Sequence, residues 1–166
     1  MLIKNRAQAE RVRSECYKLV TRRAIVSAAT GAIPFAAAGA TSDVLNLTTL
    51  LPKINAKFGL DPDQIDGLDE QVKEQIAVIA GRIGTQLIGK LITETAIVAI
   101  LRQVGVRVAV KSAASFVPVV GNTVSAGMSF GMMKLVGNRH VDDCFRLVTE
   151  LLDDQESIVS VPAAGA

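Results

Sequence analysis

Tryptophan is absent from this chain of 166 residues, tyrosine and histidine occur once each, and there are five phenylalanines. With so few rings the apolar mass must come from Ala, Val, Ile and Leu, which favours close-packed helices over a sandwich or barrel. Interleaved aromatics for stacking on bases are missing too, and acidic blocks would oppose a polyanion, so nucleic acid is not an expected partner. Cysteine is limited to Cys16 and Cys144, far apart in the sequence, which excludes a disulfide framework. The first residues, MLIKNRAQAE, lead into a charged helix and not into a secretory apolar region. An intracellular, reducing setting with two inert thiols is expected, and the Asn46-Leu47-Thr48 sequon has no consequence there.

Charge is missing from two long stretches, Ala24 to Ser42 (19 residues) and Ser112 to Met133 (22 residues), each with a proline inside it. Both are long enough to reach across much of a bilayer, yet both are rich in Ala, Gly, Ser and Thr, which gain little from lipid. In the first run only Ile25, Val26, Ile33 and Phe35 are large and apolar. Full spanning is therefore disfavoured, and Pro-containing hairpins are expected.

Charge is also unevenly placed where it is present. Residues 1–23 hold seven basic side chains against Glu10 and Glu15, and residues 75–139 hold seven against Glu94. Residues 61–74 and 140–166 each hold six acids against one base. Such blocks suggest complementary helices or oriented subunits, and a basic end suited to anionic lipid.

Periodicity predicts helices nearly throughout. The segment from Leu2 to about Ile33 carries an apolar stripe of Val12, Cys16, Leu19 and Val20. A second helix is expected from Asp43 to Phe58, ended by Gly59, with Asp61 as the N-cap and Pro62 at the first position of a short acidic helix. Val72, Ile76, Ile79, Ile83 and Leu87 keep helical spacing, which predicts one helix running through Gly81, Gly84 and Gly89 to about Gln103. The last helix is expected to begin at Asn138, with Val141, Cys144, Phe145, Val148, Leu151 and Leu152 as its apolar stripe.

Four short motifs invite chemistry that their surroundings do not support. Gly84 to Lys90 spells G-x-x-x-x-G-K, but Leu91 stands where a phosphate loop needs a hydroxyl and no strand precedes it, so a helix contact relieved by glycine is expected. Gly127-Met128-Ser129-Phe130-Gly131 matches a nucleophile elbow, yet no acid lies between it and His140, so Gly127 and Gly131 are expected to serve in packing. His140 and Cys144 are one turn apart, but a zinc site needs further ligands and His140 is expected near a helix cap. In DPDQIDGLDE the calcium-loop spacing fails, since the glycine position is Asp66. No catalytic residue, metal or cofactor is expected.

The stretch KLVTRRAIVSAATGAIPFAAAGATSDVLNLTTLLPKINAKFGLDPDQIDGL resembles the helical region of the immunity-related (interferon-inducible) GTPases. The shared features are an aliphatic-Pro segment after a basic helix, an Asp-led helix at Asp43, and FGLD at Phe58 to Asp61. FVPVVGNTVSAGMSFGMMKLVGNRHVDDCFRLVTELL resembles the late Pro-containing segment and final helix of that family, and bacterial GTPase-associated membrane domains share the style. The chain departs from the pattern at Phe35-Ala36, where relatives often have a Pro-Gly hinge. The resemblance implies an all-α multi-helix bundle with two Pro-containing apolar hairpins, and nucleotide chemistry housed in a separate G domain.

Together these readings define a single helical domain over 1–154, opened by a basic amphipathic helix over 1–23 and followed by a flexible tail over 155–166. Its expected role is a non-catalytic module in membrane association or protein interaction. Lys18, Arg22 and Arg23 are the expected lipid-headgroup contacts, and Pro34, Pro118, Gly121, Gly127 and Gly131 the hairpin and packing positions. The expected partners are a membrane surface or partner helices, with a G domain upstream or in trans and a homo-oligomer left open. The expected location is cytoplasmic with peripheral membrane association. The alternative is a stand-alone membrane-inserting or pore-type helical protein.

Overall fold

A computed structural model describes the backbone of residues 3–31, 36–85, 87–112 and 122–159, and the side chains of all of these except 29–31, 36–43, 104–112, 122–129 and 157–159. Pro34, Pro118 and Gly121, and with them the tips of both expected hairpins, lie outside the described residues. Among the described residues six helices follow one another: α1 (Arg6–Gly31), α2 (Ala36–Phe58), α3 (Pro62–Asp66), α4 (Glu70–Ile83), α5 (Glu94–Ser112) and α6 (Asn122–Val159). No strand occurs among the described residues, and the protein is all-α.

The turn at FGLD follows from local chemistry. Phe58 and Leu60 are fully buried, and Gly59 between them takes φ 76°, a left-handed conformation that costs a side-chain-bearing residue about 1–2 kcal/mol. The Leu60 amide donates to the Asn55 carbonyl (2.8 Å) and the Gly59 amide to that of Ala56 (3.2 Å), satisfying the last carbonyls of α2 in a Schellman arrangement. Asp61 then caps α3: its side chain accepts from the Asp63 amide, and the Gln64 side chain accepts from the Asp61 amide (3.2 Å). One helix closes and the next opens within seven residues, as the sequence predicts.

Three of the predicted helices differ from expectation in where they begin or end. The helix predicted to run to Gln103 stops at Ile83, because Gly84 adopts φ 76° and its amide reaches back to the carbonyls of Ala80 and Gly81. After a loop in which Gly89 is also left-handed (φ 68°), Thr93 accepts the Ala96 amide (3.3 Å) and starts α5. Two glycines and a capping threonine outweigh the apolar periodicity. The second helix starts at Ala36, ahead of Asp43, and carries Pro52 inside it. The last helix starts at Asn122, ahead of Asn138, since nothing between them ends a helix; it continues to Val159, so residues 155–159, expected in the tail, are helical.

The chain divides into two compact units. The first gathers Met1–Cys16, Lys53–Leu91 and His140–Ala166; the second gathers Tyr17–Pro52 and Ile92–Arg139. Within the first unit Ile54, Phe58, Leu60, Ile76, Ile79, Val141, Leu147 and Val148 are buried, each worth roughly 1.5–3 kcal/mol against exposure. Within the second, Val20, Ala24, Leu47, Leu50, Leu51, Ile97, Met133 and Val136 are buried. A Cβ built on Gly137 would sit 2.7 Å from Val20 Cγ1, so glycine there is what lets α6 approach α1. A Cβ on Gly131 would meet nothing within 4 Å.

Candidate functional site

The basic first helix and the acidic last one are complementary in the first unit. Arg13 donates through Nε (3.2 Å) and Nη2 to Asp142 Oδ1, while its guanidinium lies 4.6 Å from the centre of the Phe145 ring. Arg6 pairs with Asp153 at 3.8 Å, and Lys57 of α2 pairs with Glu15 at 2.8 Å, which holds the Lys57 ammonium above its ordinary pKa. These partly exposed pairs contribute about 0–1 kcal/mol each and mainly set register. The acids at 142 and 153 thus face partners of α1.

Beneath these pairs lies a buried polar cluster absent from the sequence expectation. Asn55, His140 and Cys144 are all within 2% of complete burial. Asn55 Nδ2 donates to the Leu87 carbonyl (2.9 Å), which fixes the amide orientation and turns Oδ1 toward α6. His140 Nε2 lies 2.8 Å from that oxygen and therefore carries the donated proton, and the Cys144 thiol donates to the same oxygen at 3.4 Å. One asparagine so ties α2, α6 and the α4–α5 loop. His140 sits in the middle of α6 and not near a cap, because that helix begins at Asn122. Its signal in the sequence was Asn55 itself, a polar residue one position after Ile54 on the apolar stripe that runs from Leu51 to Phe58.

Burial dominates the chemistry of both thiols. It raises Cys16 to about 11, with Lys57 opposing and Glu15 assisting. It raises Cys144 well above the ordinary thiol range, with Asp143 and then Cys16 adding to the effect. Neither is poised as a thiolate nucleophile. Among the described residues no group of three or more His, Cys, Asp or Glu side chains could hold a metal ion.

The phosphate-loop look-alike is a loop, not the helix contact expected. Gly84 caps α4, Ile88 is buried, Leu87 is held by Asn55, and α5 begins only at Glu94. The elbow look-alike at 127–131 lies inside α6, where no strand-to-helix turn exists. Asp61 and Asp63 of the calcium look-alike belong to the α3 cap and first turn.

Of the expected headgroup contacts, Lys18 and Arg22 are exposed on α1 and Arg23 is half-buried. Ile25 (58% exposed) and Val26 (50%) follow on the same side of the helix, at the i+3 and i+4 positions from Arg22. Beside them Lys134 of α6 donates to Thr21 Oγ1 at 2.9 Å. Four cations and two exposed aliphatic side chains thus lie on or against one short stretch of helix.

These features define a class: an all-α helical module with a basic and apolar surface stripe. Over 156 residues the chain is 31% identical to interferon-inducible GTPase 5 of Bos taurus, covering 88% of the chain and 33% of that protein. It is likewise 31% identical over 155 residues to interferon-inducible GTPase 5 of Rattus norvegicus, with the same shares covered. The chain is thus similar to interferon-inducible GTPases over most of its own length and spans about a third of the length of the curated relatives it matches. No family model matches it, and no solved structure does. Among the described residues no helix is long and apolar enough to cross a membrane.

Proposed function

We propose that this chain is a non-catalytic helical module of the immunity-related-GTPase type, which associates with anionic membrane surfaces through α1. In this reading nucleotide chemistry belongs to a G domain, and the helical part contributes attachment. The observation that carries it is the stripe of Lys18, Arg22, Ile25 and Val26: cations at headgroup depth followed by aliphatic side chains that are exposed where a helix facing only water would carry polar ones. Each basic side chain near an anionic surface is worth about 1 kcal/mol, and shallow burial of Ile25 and Val26 adds to it.

Flotation with phosphatidylserine-containing vesicles at low salt tests the proposal. The protein is expected to float with these vesicles, to remain below with purely zwitterionic ones, and to lose flotation when Lys18→Glu and Arg22→Glu are combined. Wild-type protein that stays below with anionic vesicles would sink the membrane role.

A further inference from the structure

Charge is segregated between the two units to a degree the net value hides. The second unit holds eight basic residues against Asp43 and Glu94, while the first holds ten against fourteen acids. The six ion pairs identified among the described residues all join residues of the first unit. Among the described residues of the second unit Lys18, Arg22, Arg102 and Arg139 are exposed, and none of them belongs to one of these ion pairs.

The first unit carries a groove of the opposite character. A cavity of about 250 Å³ lies along α4, where Gln71, Glu74, Gln75, Val78 and Arg82 recur at helical spacing and Asp154 of α6 forms part of the wall. Arg82 is paired with Glu150 at 3.3 Å, so the charge left to the groove is that of Glu74 and Asp154. Val78, one of its lining residues, is 58% exposed, and the neighbouring lining residue Ile79 is buried. An acidic groove with an exposed valine in its lining repels an anionic membrane and suits a basic amphipathic helix.

The chain itself supplies such a helix. Lys18, Arg22 and Ile25 repeat at i, i+4 and i+7, so two cations and an aliphatic residue run along one line, matching two acids and Val78 in the groove. We propose that the α4 groove of one copy receives the Lys18–Val26 stripe of a second copy. The two surfaces are different, so the contact is heterologous, and successive copies add head to tail unless the rotation closes a ring. Self-association and membrane attachment then draw on the same stripe and exclude one another at any one copy.

Sedimentation velocity across a concentration series at low ionic strength tests this on the full chain. Wild type is expected to sediment faster as concentration rises, and to return toward monomer in high salt. A stripe variant (Lys18→Glu with Arg22→Glu) and a groove variant (Glu74→Lys with Asp154→Lys) should each remain monomeric alone. An equimolar mixture of wild-type stripe and wild-type groove is restored across the two variants only if the pairing is as stated, because each retains the surface the other lost. The reversed stripe of one variant and the reversed groove of the other also carry opposite charges, so the mixture is expected to associate with rising concentration as wild type does. Val78→Asp, at an exposed position, should abolish association while leaving vesicle flotation intact, which separates this inference from the membrane role. Wild type that stays monomeric, groove variants that associate like wild type, or a mixture that fails to associate would each overturn it.

Discussion

His140 donates from Nε2 to Asn55 Oδ1 across 2.8 Å in a fully desolvated setting, and Asn55 passes the link on to the Leu87 carbonyl. Asn55→Ala leaves a buried ring N–H and a carbonyl without that partner, so unfolding free energy is expected to fall by about 3 kcal/mol. Asn55→Asp keeps the oxygen but loses the donor to Leu87 and buries a carboxyl group. Urea titrations of both variants check the ranking, with the loop of residues 84–93 expected to lose amide-exchange protection first.

Gly137 and Val20 make a second prediction. The missing Cβ at 137 would fall 2.7 and 3.0 Å from the two methyls of Val20, whose branched side chain has little freedom to turn away. Gly137→Ala is expected to cost about 1–3 kcal/mol in spite of alanine's better helix propensity. Val20→Ala should cost stability alone yet reduce the penalty of Gly137→Ala in a double-mutant cycle, measured by thermal unfolding.

Glycine elsewhere separates backbone need from mere tolerance. Gly59→Ala forces a left-handed alanine at the end of α2 and is expected to lower stability by about 1–2 kcal/mol. Gly131→Ala, inside α6 with open space around it, should gain up to about 1 kcal/mol. Equal melting-temperature changes for the two would contradict this assignment.

Both thiols are protonated more firmly in the folded chain than in the unfolded one, so the folded state binds more protons on the alkaline side. Their contribution is fully present below the unfolded thiol pKa near 9 and is lost as pH rises toward the folded values, about 11 for Cys16. The slope is at most about 1.4 kcal/mol per pH unit for each thiol. Denaturant midpoints should therefore fall between pH 9 and 11, and Cys16→Ser with Cys144→Ala should flatten that fall. Below pH 8 a thiol reagent should label neither cysteine until the chain opens.

Where structure could be read from sequence, the controlling chemistry was local. Phe58, Gly59, Leu60, Asp61 and Pro62 each select one backbone state, and the capping pattern follows from their order. The opposite charges of the first and last helices were legible as blocks, although not the pairing of Arg13 with Asp142 or of Arg6 with Asp153. Periodicity failed at Gly84 because apolar spacing from Val72 to Leu87 describes which side chains turn inward and says nothing of a glycine that reverses the backbone beneath them. It failed again before Asn138, where glycines at 127, 131 and 137 lower intrinsic helix propensity but end nothing. The Asn55 cluster joins residues 32 and 85 positions apart, and no local rule brings Leu87 or His140 to an asparagine on α2. Lys18, Arg22 and Arg23 were expected as headgroup contacts from the charge of the first helix and the apolar run that follows it, and the exposure of Ile25 and Val26 beside them emerged only with the fold.

The turn from Asn55 to Gln64 has a kinetic meaning as well. Its hydrogen bonds link residues no more than eight apart, so it closes a short loop and can form early, before distant helices meet. The Asn55 amide, by contrast, reaches partners that arrive only when α6 docks. Variants at Gly59 are then expected to slow folding, whereas variants at His140 chiefly hasten unfolding, so one asparagine marks where an early, local event is joined to a late one through its carbonyl on one side and its side chain on the other.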